Sequence, residues 1–185
     1  FIIMPRNVHI SVIKICASQN INPIFFDLEC SSETGHYKPI TTKWLKNVFS
    51  KINFNKGKIV GVILVSPTYH GYASDLMPLI DLCHQKNLPV LVDEAHGSYF
   101  LFCENLNLPK SALLSNADLV VHSLHKSLNG LTQTAALWYK GNLVNKHSLI
   151  KSINLLQTTS PSSLLLSSCE AVSYTHLTLP TTVFV

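Results

Sequence analysis

Short apolar runs of strand length alternate with segments of helical spacing along the whole chain, and this rhythm restricts the fold more than any single motif. Ile24 to Leu28, Ile59 to Val65, Leu88 to Val92, Leu119 to Val121 and Ala135 to Tyr139 are rich in Val, Ile and aromatic residues, as buried strands are. Between them, Val8 to Ala17, Thr41 to Ser50 and Ala73 to Lys86 carry apolar residues at helical spacing, with Ser74 or Asp75 as the N-cap of the third. Asn145 to Leu156 and Ser162 to Ala171 are expected to be helical too. Strands that read as continuous apolar runs belong to a parallel sheet covered on both faces. The expected class is therefore α/β, a three-layer α/β/α sandwich with a mostly parallel sheet. Ligands of such sheets bind beyond the carboxyl ends of the strands.

Composition narrows the function classes. A chain of 185 residues that is 46% hydrophobic can bury a sizeable core. Charged residues make up only 13%, and the formal net charge of +4 comes from scattered lysines, which disfavours nucleic acid as a partner. The apolar runs are far shorter than the roughly 20 residues a membrane-spanning helix needs. Cys16, Cys30, Cys83, Cys103 and Cys169 are odd in number and lack CxxC spacing. A disulfide framework and a zinc ribbon are thus not suggested, and a reducing, cytoplasmic setting is expected. His70, His84, His122 and His147 show no metal-ligand spacing either.

The two ends read differently from the rest. Phe1 to Arg6 is an apolar start without the features of a leader peptide, and it reads as a truncation. Val172-Ser173-Tyr174-Thr175-His176-Leu177-Thr178-Leu179-Pro180-Thr181 resembles one translated frame of a transposase-type sequencing adapter. The expected organisation is one functional unit over 1–171, followed by a foreign 172–185; a natural extended tail is the alternative.

Chemistry enters where polar residues interrupt strand ends. The run Leu88 to Val92 stops at Asp93-Glu94-Ala95-His96-Gly97, which sets a carboxylate where a parallel strand meets its crevice. Alone, such an aspartate serves equally well to cap the following turn. The next strand, Leu119 to Val121, leads into His122-Ser123-Leu124-His125-Lys126 and sets an amine at a nearby carboxyl end. Pyridoxal phosphate needs this pair: an amine to hold its aldehyde as an imine, and an anion to keep its pyridine nitrogen protonated. Ser123 and His125 flank the lysine and offer hydroxyl and imidazole donors for the phosphate. The bland alternative for Lys126 is a solvated loop lysine.

With these residues in view, the chain resembles the Orn/Lys/Arg decarboxylase family, a branch of the aspartate-aminotransferase-like, fold type I pyridoxal-phosphate enzymes. The resemblance runs over most of Arg6 to Ala171. Arg6-Asn7-Val8-His9 is similar to the family's Arg-Asn-x-His element, and implies that His9 stacks over the cofactor ring. Ser66-Pro67-Thr68-Tyr69-His70-Gly71 resembles a Ser-Pro-Thr-Tyr-x-Gly turn, which brings Thr68 toward the cofactor and leaves Tyr69 to contact ligand or to pack. Val92-Asp93-Glu94-Ala95-His96-Gly97 resembles the cofactor strand, so Asp93 would pair with the ring nitrogen, and Ala95 and His96 would lie against or beside the ring. Ser123-Leu124-His125-Lys126 resembles the Ser-x-His-Lys element, with Ser123 and His125 on phosphate and Lys126 as the imine base. Leu131-Thr132-Gln133 and Thr159-Ser160-Pro161-Ser162 are also similar to family segments.

One departure is Ile10, where a lysine is common after the motif histidine. The family's upstream phosphate loop and downstream small domain are not among these residues, so the fragment alone is expected to have little activity. The resemblance implies a cytoplasmic lyase that decarboxylates ornithine, lysine or arginine to a polyamine precursor, with a homodimer or higher homo-oligomer as the full-length form. Another fold type I enzyme such as an aminotransferase, or an inactive cofactor-binding fragment, is the competing reading.

Overall fold

A computed structural model describes residues 1–102 and 107–178; Cys103, Glu104 and residues 179–185 lie outside the described residues. Among the described residues, six strands form one sheet in the order β2-β1-β3-β4-β5-β6. They are β1 (Ile2–Pro5), β2 (Pro23–Phe26), β3 (Gly61–Val65), β4 (Val90–Asp93), β5 (Leu119–Ser123) and β6 (Ala135–Tyr139). Every neighbouring pair is parallel except β5 with β6, which is antiparallel. The helices are α1 (Ile10–Ser18), α2 (Thr42–Lys51), α3 (Leu76–His84), α4 (Leu124–Ser127), α5 (Lys146–Leu156) and α6 (Ser163–Thr178).

Alternation along the strands builds the layers. Ile3, Val62, Leu64, Val90, Val92 and Val120 point to one face, where Leu45, Val48 and Phe49 of α2 and Leu76, Leu79, Ile80 and Cys83 of α3 meet them. Met4, Ile63 and Val65 point to the other, against Val8 and Cys16 at and within α1. Both faces are thus covered, as the continuous apolar runs require.

Local signals account for most helix starts. Thr41 accepts from the Trp44 N–H at the head of α2, and Asn145 from the Ser148 N–H at the head of α5. The helix expected over Ala73 to Lys86 is shorter, because Ser74 is drawn elsewhere: its hydroxyl accepts from Ile40 N–H, and its N–H donates to Ser66 Oγ. Asp75 holds the N-cap position without a side-chain bond. The strand β1 was not expected, since four residues at the chain start carry little periodicity; it sits between the edge strand β2 and β3.

The helix expected to stop at Ala171 continues as α6 to Thr178. Val172 is buried with Leu124 and Leu128, so the first residue of the supposed foreign tail packs on the domain.

Candidate active site

The register of the parallel strands lines up Val65, Asp93 and Val121 as partners in one row across β3, β4 and β5. All three point to the face that carries α1, at the carboxyl edge of the sheet, where a cleft of about 470 Å³ opens. Its lining is Asn7, His9, Ser11, Val65, Tyr69, Asp93, Ala95, His96, Val121, Ser123, His125 and Lys126. Two β-branched residues and one small one, Val65, Val121 and Ala95, make an apolar floor, and the chain supplies an acid, an amine, a hydroxyl and imidazoles around it.

Of the residues singled out from the sequence, Lys126, Asp93, His9, His96, Ala95, Ser123 and His125 meet in this cleft. Thr68 does not line it. Thr68 is 5% exposed, and its hydroxyl accepts from Tyr72 N–H in closing the turn. The neighbouring Tyr69 reaches the cleft instead and is 80% exposed. That turn is packed tightly on the Asp93 loop: a Cβ on Gly97 would stand 2.6 Å from Pro67 Cδ, so only glycine admits the approach.

Hydrogen bonds fix the chemical state of several groups. The Lys126 ammonium can only donate, and its Nζ lies 3.3 Å from His96 Nε2, so His96 presents a lone pair there. His96 is pushed below the ordinary imidazole range, first by burial and then by the Lys126 charge, with Asp93 opposing; a neutral ring is what the contact requires. Tyr69 meets the His96 ring edge to face at 5.5 Å. Asp93 Oδ1 accepts from Ala95 N–H at 3.1 Å. His9 is the N-cap of α1 and accepts at Nδ1 from Ser11 N–H, which leaves Nε2 as the protonated nitrogen of a neutral ring.

His125 differs from expectation in detail. Its Nδ1 donates to the Thr134 carbonyl at 2.9 Å, because a carbonyl can only accept. Nε2 therefore donates to a phosphate only when the ring carries both protons.

Sequence reasoning passed over Asn7, Ser11, Val65 and Val121. Asn7 stands within the quoted Arg-Asn-x-His element, and Val65 and Val121 are the last apolar residues of their strand runs, so the signals were present.

A profile described as the Orn/Lys/Arg decarboxylase major domain matches residues 1–178. The chain belongs to this decarboxylase family. It is 38% identical over 169 residues to an arginine decarboxylase of Bacillus cereus, covering 91% of this chain and 35% of that protein. The chain spans about a third of the length of the curated relatives it matches. Its fold is that of solved fold type I enzymes. A sphingosine-1-phosphate lyase of Burkholderia pseudomallei superposes with a TM-score of 0.69 at 15% identity, over 94% of this chain and 40% of that one. The glutamate decarboxylase domain of a Vibrio parahaemolyticus diaminobutyrate enzyme gives 0.67 at 15% identity, over 95% and 35%. Membership gives the family's residues a shared frame: the cleft described above lies within the matched residues of the major domain.

Proposed function

We propose that this chain carries the cofactor cleft of a pyridoxal-phosphate-dependent decarboxylase that acts on a basic amino acid, arginine by preference. The observation that supports it above the others is the convergence of Lys126 and Asp93, from neighbouring strand ends, on one cleft with an apolar floor. The preference for arginine rests on the relatives, which are named arginine decarboxylases; ornithine and lysine are the other members of the same substrate class.

The donor set suits the group. Val65, Val121 and Ala95 offer a surface on which a flat heterocycle can lie, and Asp93 offers the anion that a protonated ring nitrogen needs. Asn7 Oδ1 is buried without a hydrogen-bond partner, a polar atom that a bound ligand would satisfy. Pyridoxal phosphate, when bound, supplies an aldehyde that combines with amines and a ring that takes up the electron pair left as carbon dioxide departs.

The protein's own part is to bind, orient and move protons. Lys126 would hold the aldehyde through Nζ, and His96 Nε2 stands where it can take the proton that nitrogen must lose before it is nucleophilic. Asp93 would hold the proton on the ring nitrogen by its charge. Ser123 would donate its hydroxyl to phosphate, and His125 would join it once doubly protonated. His9, at the head of α1, would pack against the ring. Residues 1–171 form the unit that does this. A homodimeric, cytoplasmic full-length enzyme feeding polyamine synthesis completes the reading, and 172–185 remain the proposed foreign tail, which the nucleotide sequence across that boundary tests.

The functional test is product analysis. The full-length protein, loaded with pyridoxal phosphate, is given arginine, ornithine and lysine in turn. Release of carbon dioxide with agmatine from arginine is the expected result. Transfer of the amino group to a keto acid without carbon dioxide would replace this reading with an aminotransferase, and cofactor binding without turnover would make the chain a noncatalytic module.

A further inference from the structure

On the sheet face away from the cleft, the rows that continue Val92 and Val120 end in Glu94 and His122, each at most 1% exposed. Glu94 Oε2 accepts from Ser111 Oγ at 2.7 Å and from His122 Nε2 at 2.7 Å, and Oε1 accepts from Ala112 N–H at 2.8 Å. His122 Nδ1 in turn accepts from Trp138 Nε1–H at 3.0 Å. An indole N–H can only donate, so the imidazole must carry its proton on Nε2 and point it at the carboxylate. The chain of bonds therefore runs in one direction, from β6 through β5 to the end of β4, and its middle member cannot reverse while the indole stays.

Sequence neighbours connect this chain to the cleft. Glu94 stands between Asp93 and Ala95, and His122 stands directly before Ser123; all three flanking residues line the cleft from the other face. The carboxylate is solvated by three donors, and the His122 ring among them is neutral. A buried anion held in this way is sensitive to the placing of each donor.

We propose that Glu94 and His122 are positioning residues, with Trp138 fixing the tautomer in which His122 meets Glu94: the pair holds the carboxyl ends of β4 and β5 at the spacing that lets Asp93 and Ser123 face one ligand. The inference rests on the cofactor reading above. It makes a distinctive demand on the amide variant Glu94→Gln. An amide has one acceptor oxygen, and whichever way it turns, its NH2 faces the N–H of Ala112 or of His122. The Ala112 N–H is fixed, and His122 cannot turn its lone pair to Nε2 while Trp138 donates to Nδ1. Trp138→Phe removes that constraint: His122 moves its proton to Nδ1 and accepts from the amide at Nε2, which leaves the Nδ1–H, facing the space the indole vacates, as the one group without a protein acceptor.

The experiment measures pyridoxal phosphate affinity by equilibrium dialysis, together with the visible circular dichroism of the bound cofactor, in the full-length protein. Glu94→Gln should weaken affinity about tenfold, the scale of one unsatisfied buried group, and alter the dichroic band. Trp138→Phe alone should change affinity little, because His122 still donates from Nε2 to Glu94, and the double variant should regain part of the loss. A Glu94→Gln protein with unchanged affinity, or a double variant no tighter than Glu94→Gln, overturns the proposal. Should Glu94→Gln fail to fold, ¹⁵N NMR of the wild-type imidazole decides: a proton on Nε2 of His122 supports the arrangement, and one on Nδ1 refutes it. A wild-type protein that binds no pyridoxal phosphate would instead remove the cofactor reading itself.

Discussion

The two ends of the sheet are stapled by the same kind of pair, an imidazole on a buried carboxylate, but the pairs have different neighbours. At the carboxyl end, Glu94 and His122 are both fully buried, and the residues beside them in sequence face the cleft. At the amino end, Asp118 Oδ2 accepts from Val90 N–H and His84 Nε2, each at 2.8 Å, while Asp118 itself bonds through its backbone to Val90 and Lys140. His84 is partly exposed, and Asp118 is not. Asp118 thus ties the starts of β4 and β5 and the end of β6 to the end of α3, with no cleft residue beside it. One brace stands apart from the cleft, and the other has the cleft on its reverse side.

Substitutions should separate the two ends cleanly. Lys126→Ala, in the full-length protein, should lower turnover by about three orders of magnitude or more with the fold unchanged. Cofactor fixed to the protein by borohydride reduction should vanish with it; persistent fixation would point to another lysine. Asp93→Asn should keep cofactor bound yet cost about a hundredfold in turnover, the scale of losing one preorganised electrostatic contact. Near-normal rates would remove Asp93 from its role.

Asp118→Ala should do the reverse. It leaves the buried Val90 N–H without its acceptor and should cost about 2–3 kcal/mol, read by urea denaturation, while activity per folded molecule stays near wild type. Cys83 reports the same event. It is fully buried, and its thiol is pushed up to about 12, first by burial and then by the Asp118 charge. Thiol reagents should spare it in the native protein and reach it faster in Asp118→Ala as the amino end opens. Equal labelling rates in the two proteins would show that Asp118 does not hold that end closed.

The contrast also explains what the amino-acid order disclosed. Runs such as Ile59 to Val65 announced strands because both sheet faces are apolar, and Asp93 and Lys126 stood out because each breaks such a run where ligands bind. The antiparallel turn of β6 leaves no mark on Ala135 to Tyr139 itself. Both staples join residues far apart in sequence, 28 positions for His122 with Glu94 and 34 for His84 with Asp118, so no local pattern reveals the pairing. Alternation did carry half of the answer: counting inward from Val90 and Val92 puts Glu94 on the core face, where an acid requires partners. Tyr69 takes the first of its two expected alternatives while Thr68 stays out of the cleft, since which of two adjacent turn residues reaches it depends on the turn's closure by Tyr72.

The smallest expected effect lies in the cleft and sharpens its electrostatic reading. Below its ordinary pKa a histidine in the unfolded chain takes up a proton that His96, held lower by burial and by Lys126, declines. The folded protein then binds fewer protons than the unfolded one, so stability falls as pH drops below the ordinary imidazole value, about 6.5, and His96 contributes nothing above it. Removing Lys126 takes away one depressing influence, so Lys126→Ala should raise the His96 midpoint in NMR titration of the cofactor-free protein. Asp93→Asn removes the opposing influence and should lower it further. Shifts of opposite sign from the two variants require that both charges act on the same imidazole. A common direction would mean that Asp93 and Lys126 do not flank His96 as the cleft geometry has them.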